Sequence, residues 1–236
     1  MRKTAKNIVI IVICIAIFIC VFCLDLYYAK LDFDETNKEN ELLKMFRNYY
    51  NAKVASYAEE NKTAEDIIDI IFLGDSLTDG YDLNLYYPEY KTLNRGIGGD
   101  TTFGLEARLD VSCFDIESKV VIMLIGANNF DSMLDNYENI LIKFKEKIPN
   151  RKVILLSLTA MGGNWGRNNT KAIQNNQTIK SLAKKYSYTY IDLFTPLLNV
   201  DTGEIYPEYT TDGGHFTSLG YSIITAEIKP VLAEIL

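Results

Sequence analysis

Two rhythms of apolar and polar residues divide the chain. From Ile8 to Leu24 all 17 positions are apolar. A buried core helix carries a polar face, and this run has none. Its length is at the short end of a bilayer span. Arg2, Lys3 and Lys6 precede it, and positive charge marks the cytoplasmic side of a membrane. The run closes as Phe22-Cys23-Leu24-Asp25, without the small-x-small pattern of a cleaved signal. A lipid-modified cysteine would follow a small residue, whereas Cys23 follows Phe22 and Cys20 follows Ile19. Residues 1–24 are therefore expected to be a cytoplasmic tip and an uncleaved signal-anchor helix, with the rest of the chain extracytoplasmic.

Residues 25–62 read as a polar, acidic linker followed by a juxtamembrane helix. Within it Leu42, Leu43, Phe46, Tyr49, Tyr50, Val54 and Tyr57 recur at three- and four-residue steps, the spacing of a helix face. Such a helix can pack on the following domain, stand as a stalk, or pair with a second copy.

From residue 63 a single domain is expected, with strands alternating with helices. Ile67–Leu73, Val120–Ile125, Val153–Leu158 and Tyr188–Leu193 are short apolar runs, and Thr92–Asn94 is a shorter extended stretch. Near-continuous apolar strands belong to parallel sheets covered on both faces. Between them, Leu134, Tyr137, Ile140, Leu141, Phe144 and Ile148 form one helical stripe. Ala172, Ile173, Ile179, Leu182, Ala183 and Tyr186 form another. A last helix starts near Ser218, and Pro230 is expected to kink it or end it early. The βαβα order predicts an α/β fold with an open, mostly parallel sheet.

Charge narrows the partners. The first 24 residues carry +3 and the whole chain −7, so the remainder carries −10. Such a domain is poorly suited to nucleic acid. Cys14, Cys20 and Cys23 lie in the apolar run, and Cys113 is alone in the remainder. No intramolecular disulfide is available there, and Cys113 reads as a small core residue.

The chain has one histidine, His215, within Asp212-Gly213-Gly214-His215. Imidazole is the side chain that titrates near neutral pH without perturbation, so His215 is the natural general base and Asp212 its partner. Ser76 follows the first apolar strand in Gly74-Asp75-Ser76. It reads either as a nucleophile at a helix start or as a helix N-cap. Thr78 stands where the Gly-x-Ser-x-Gly elbow has its second glycine, which argues against that arrangement. Gly98-Gly99 lets backbone approach a ligand, or simply makes a turn. Asn128, after Gly126, offers an oxyanion donor or an Asx-type turn.

Taken in order, Gly74-Asp75-Ser76-Leu77, Asn94-Arg95-Gly96-Ile97-Gly98-Gly99-Asp100-Thr101, Gly126-Ala127-Asn128-Asn129 and Asp212-Gly213-Gly214-His215 resemble the four blocks of the SGNH hydrolases, also called GDSL esterases/lipases. The resemblance spans about residues 67–230. It implies a flavodoxin-like three-layer α/β/α sandwich that needs no metal and no organic cofactor. It implies Ser76 as nucleophile, His215 as base and Asp212 as its partner. The Ser76 and Gly99 N–H groups and the Asn128 side chain would form the oxyanion hole. Asn129 replaces the usual aspartate of the third block, which bears on how Asn128 is oriented. Asp75, Asn129 and Trp165 are candidate substrate contacts.

The implied activity is hydrolysis of small acyl esters through an acyl-enzyme, with O-acetyl groups on cell-envelope glycans as expected substrates. An acyltransferase of the same fold and a non-catalytic, tethered glycan-binding protein are the alternatives. The sequence does not set the oligomeric state.

Overall fold

The structure is a computed structural model and describes residue 30 and residues 38–64, 67–166 and 168–236. The expected signal anchor lies outside the described residues, as does most of the linker. Among the described residues no helix is long and apolar enough to cross a membrane. The chain divides into two compact units, residues 1–49 and 50–236. In the first, residues 38–49 are helical and exposed, with Leu42, Leu43, Met45 and Phe46 open to solvent.

The second unit starts at Tyr50, so residues 50–62 pack with the sheet domain rather than ahead of it. Its first helix, α1, covers residues 50–63. The core is a five-stranded parallel sheet of β1 (Ile68–Gly74), β2 (Thr92–Gly96), β3 (Ser118–Leu124), β4 (Lys152–Leu156) and β5 (Thr189–Ile191), in the order β2-β1-β3-β4-β5. Ile70–Leu73 and Val120–Met123 are sealed from water. Their unbroken apolar pattern follows from having cover on both faces. Between the strands run α2 (Ser76–Asp79), α3 (Leu83–Tyr86), α4 (Thr102–Ala107), a π-helical turn (Asp110–Phe114), α5 (Leu134–Lys147), α6 (Gly163–Gly166) and α7 (Asn169–Tyr186). After β5 come α8 (Phe194–Leu197), the hairpin β6 (Leu198–Asn199) and β7 (Glu204–Ile205), and α9 (Ser218–Ile235).

The expected stripes are buried on α5 and α7: Tyr137, Ile140, Leu141 and Phe144 on the first, Ala172, Ile179 and Ala183 on the second. Two expectations are narrowed. Of the kink or early end expected at Pro230, the early end does not occur, since α9 runs to Ile235. Ile228 and Leu232, on either side of the proline, are fully buried, and their packing outweighs one lost helical hydrogen bond. The strand expected at Tyr188–Leu193, β5, is shorter than its apolar run, because Asp192 turns the chain. Its Oδ1 accepts the Phe194 and Thr195 N–H groups at 2.9 and 3.2 Å and starts α8. Cys113 is fully buried, and burial pushes its thiol up to about 12.

In open α/β sheets, ligands bind beyond the carboxyl ends of strands where the strand order reverses. Here that point lies between β1 and β3. Gly74-Asp75-Ser76 leaves one, and Gly126-Ala127-Asn128 the other.

Candidate active site

β1 passes into α2 with almost no connecting loop. A Cβ on Gly74 would lie 2.4 Å from the Leu124 carbonyl oxygen, so only glycine lets the strand turn this close to β3. Asp75 caps α2, its Oδ1 accepting the Leu77 N–H at 3.1 Å. Ser76 is the first helical residue and is half-buried.

His215 comes from the far end of the chain. Its loop is pinned by the Thr210–Phe216 bridge, and its carbonyl accepts the Thr211 N–H at 2.9 Å and the Thr210 hydroxyl at 2.7 Å. His215 Nε2 is 2.9 Å from Ser76 Oγ, and Nδ1 is 2.7 Å from Asp212 Oδ2. An ionised carboxylate only accepts, so Nδ1 carries the proton and Nε2 offers its lone pair to the serine hydroxyl. Asp212 Oδ1 also accepts the Gly214 and His215 N–H groups at 2.8 and 2.7 Å. Partial burial pushes the Asp212 carboxyl up, but the hydrogen bonds from His215 and Gly214 prevail and hold it down at about 2. The arrangement suits removal of the serine proton on attack. It is also open: the His215 and Asp212 side chains keep 45% and 47% of their exposure.

The other two candidate donors sit on neighbouring loops. Gly99 has φ 78°, in the left-handed region glycine favours. Among the described residues its N–H and that of Ser76 find no protein acceptor. Asn128 Nδ2 donates to the Asp100 carbonyl at 2.8 Å, which leaves a second N–H on the same amide. Asn128 is thereby tied to the residue after Gly99.

The three candidate substrate contacts fare differently. Asp75 is 1% exposed, so it is not placed to touch a substrate, which corrects the expectation. Burial raises its carboxyl to about 7, against the Leu77 and Ala127 N–H groups that bond it. It joins the start of α2 to the loop after β3. The Asn129 amide is turned inward: Oδ1 accepts the Thr102 N–H at 3.3 Å and Nδ2 donates to Thr102 Oγ1 at 2.9 Å. It clamps the start of α4. Trp165 is half-buried on α6, its ring centroid 6.3 Å from that of His215 at 80°. Its indole also meets Gly214, where a Cβ would lie 3.1 Å away. It is both a loop anchor and a wall beside the histidine.

One residue escaped the sequence reading. Arg108 is 2% exposed and bonds four elements at once. Its Nε reaches Asp100 Oδ2 at 2.8 Å, Nη1 reaches the Arg95 carbonyl and Ser112 Oγ at 2.8 and 2.9 Å, and Nη2 reaches the Gly74 carbonyl at 3.0 Å. It ties the carboxyl ends of β1 and β2 to the loop bearing Gly99. The signal was present, since Leu105 and Leu109 flank Arg108 on a face that is buried. Among the described residues no group of three or more His, Cys, Asp or Glu is placed to hold a metal. An open cavity of about 360 Å³ lies elsewhere, against α7 and β5 beside Lys180, Tyr190 and Phe194.

Known proteins resemble this chain in fold and in sequence. A solved Streptococcus pneumoniae protein whose name cites platelet-activating factor superposes with a TM-score of 0.75 at 25% identity, covering 81% of this chain and 96% of its own. An acetyl xylan esterase of Geobacillus stearothermophilus superposes at 0.57 with 22% identity, over 70% and 94%, a likeness of fold. The Drosophila melanogaster platelet-activating factor acetylhydrolase IB subunit beta homolog is 26% identical over 178 residues, 71% of this chain and 79% of that one. The sequence pattern of the GDSL-like lipase/acylhydrolase family matches residues 72–223, from the third-last residue of β1 into α9. With that span matched and the fold shared, the chain belongs to the GDSL-like lipase/acylhydrolase family of ester hydrolases.

Proposed function

We propose that Ser76 attacks the carbonyl of a small acyl ester while His215 takes its proton, forming an acyl-enzyme that water then releases. The observation that carries this reading is the Ser76–His215–Asp212 line, with contacts of 2.9 and 2.7 Å. Asp212 holds the imidazole in the productive tautomer and offsets the charge it gains. The negative oxygen of the tetrahedral intermediate is received by the Ser76 and Gly99 N–H groups and the spare Asn128 N–H, donors set in place before reaction. His215 then returns its proton to the leaving alcohol, and the cycle repeats with water.

The acyl group is acetyl and the alcohol is carried by a cell-envelope glycan. Two relatives, the acetyl xylan esterase and the acetylhydrolase homolog, are named for acetyl esters. The openness of His215 and Asp212 suits an ester borne on a large molecule. Trp165 beside His215 offers an aromatic face to a sugar ring. On the same reading, the apolar run 8–24 tethers the enzyme to a membrane with the domain outside, to be checked by fractionation and protease accessibility.

The test is a panel of acyl esters from acetyl to long chain, with wild type and Ser76→Ala. Cleavage is expected to be fastest for acetyl and to vanish in the variant. Hydrolysis that survives Ser76→Ala sinks the serine mechanism, and preference for long chains sinks the acetyl assignment. Acetyl transfer to an added glycan outrunning hydrolysis would make the enzyme a transferase.

A further inference from the structure

Gly98 and Gly99 are adjacent and carry no side chains, so nothing of their own fixes where the Gly99 N–H points. Glycine has the widest backbone freedom of any residue. The restraint has to come from outside, and the structure supplies much of it from one helix, α1. Lys53 Nζ donates to Asp79 Oδ1 at 2.8 Å, and Asp79 Oδ2 accepts the Gly98 N–H at 2.9 Å. The Tyr57 hydroxyl donates to the Gly96 carbonyl at 2.5 Å, and the Tyr50 hydroxyl to the Gly104 carbonyl at 2.8 Å. Positions 50, 53 and 57 share one helix face. Their three contacts bracket Gly99 from Gly96 to Gly104.

The contacts are built rather than incidental. Tyr57 is 2% exposed, and the Arg95 guanidinium stacks over its ring at 4.5 Å. Arg95 itself is 1% exposed and bonds Glu60 and Asn61 of the same helix. The other side of the loop rests on Arg108 through Asp100. Residues 50–63 lie outside the span 72–223 matched by the family pattern.

We propose that α1 is a positioning element for catalysis, with Lys53, acting through Asp79, and Tyr57 holding the Gly98-Gly99 backbone so that the Gly99 N–H meets the oxyanion. This rests on the reading of Gly99 as an oxyanion donor. A donor displaced by a fraction of an ångström still lets substrate bind and weakens mainly the transition state.

The test uses the full chain and an acetyl ester, with turnover counted per Ser76 labelled to completion by a fluorophosphonate, so that unfolded protein drops out. Lys53→Met is expected to lower kcat about tenfold or more with KM changed less than about twofold. Lys53→Arg restores most of the loss, and Tyr57→Phe, which keeps the ring under Arg95, lowers kcat in the same way. Lys62→Met, which removes an exposed ion pair to Glu59 on the same helix, leaves kcat unchanged. The proposal is overturned if Lys53→Met and Tyr57→Phe keep the wild-type kcat, if KM rises instead, or if Lys53→Arg restores nothing. Ser76→Ala, run alongside, separates the two readings. Surviving hydrolysis there removes the serine mechanism, whereas an inactive Ser76→Ala beside a fully active Lys53→Met removes only the role of α1.

Discussion

Arg108 Nε lies 2.8 Å from Asp100 Oδ2, and the two side chains keep 1% and 2% of their exposure to water. Burial raises the Asp100 carboxyl, and the guanidinium pulls against that. Asp100 in turn presents its carbonyl to Asn128. Removing either charge strands the other in the core, which typically costs about 3–5 kcal/mol. Arg108→Met is expected to destabilise the domain by that amount in urea unfolding. Asp100→Asn added to Arg108→Met should recover part of it, because no buried carboxylate remains unpaired. A loss under about 1 kcal/mol for Arg108→Met would mean water reaches Asp100.

Asn128 is tied to the site by one N–H and free at the other. Asn128→Ala is expected to lower kcat by about 10²–10³, the cost of one oxyanion donor, with KM within a few-fold. Thermal stability should move little, since the side chain is exposed and gives up one hydrogen bond to the Asp100 carbonyl. Equal losses in kcat and melting temperature would instead make Asn128 a structural tie.

Much of this arrangement was legible from residue order. β1, β3 and β4 announce themselves as apolar runs because both their faces are buried. β2 showed only as Thr92–Asn94, because as an edge strand it keeps Thr92, Leu93 and Asn94 half-buried and turns fully inward at Arg95. Ser76, Asp212 and His215 could be ordered by motif. Asp75 could not be placed, since a carboxylate in a motif is as readily a cap as a contact, and its 1% exposure is a tertiary fact. The support behind Gly99 was also hidden. Lys53 and Asp79 are 26 positions apart, Arg108 and Gly74 34, and neither spacing has a local period. The α1 stripe was visible, but not what it would face.

Asp75 gives a pH signature in stability. Its pKa is raised from the ordinary carboxylate value of 3.8 to about 7, first by burial and in part by Asp100. The folded state therefore holds this proton where the unfolded chain has lost it. The stabilising contribution is complete below about pH 4 and is lost as pH rises through about 7, a change of a few kcal/mol. Wild type should lose stability between pH 5 and 8 relative to Asp75→Asn, compared as the difference in urea midpoints at about those two values. Parallel pH profiles for the two proteins would show that Asp75 stays ionised throughout.

Asp212 carries the opposite sign. Held at about 2, below its ordinary 3.8, it stays ionised until pH falls well under 4, and what it contributes to stability is lost only on that fall. The acid limb of kcat/KM above about pH 4 should therefore owe nothing to Asp212. Asp212→Asn tests the tautomer directly. Oδ1 already accepts the Gly214 and His215 N–H groups, so the amide oxygen of the substitute keeps that place and its NH2 faces Nδ1. Nδ1 must then accept, the proton moves to Nε2, and Nε2 no longer takes the Ser76 proton. A loss in kcat of about 10²–10⁴ is expected, with folding nearly unchanged because the side chain is 47% exposed. His215 is the only histidine, so nitrogen NMR of the ring reads the tautomer without assignment. A proton still on Nδ1 in Asp212→Asn, or kcat within about tenfold of wild type, would remove Asp212 from the mechanism.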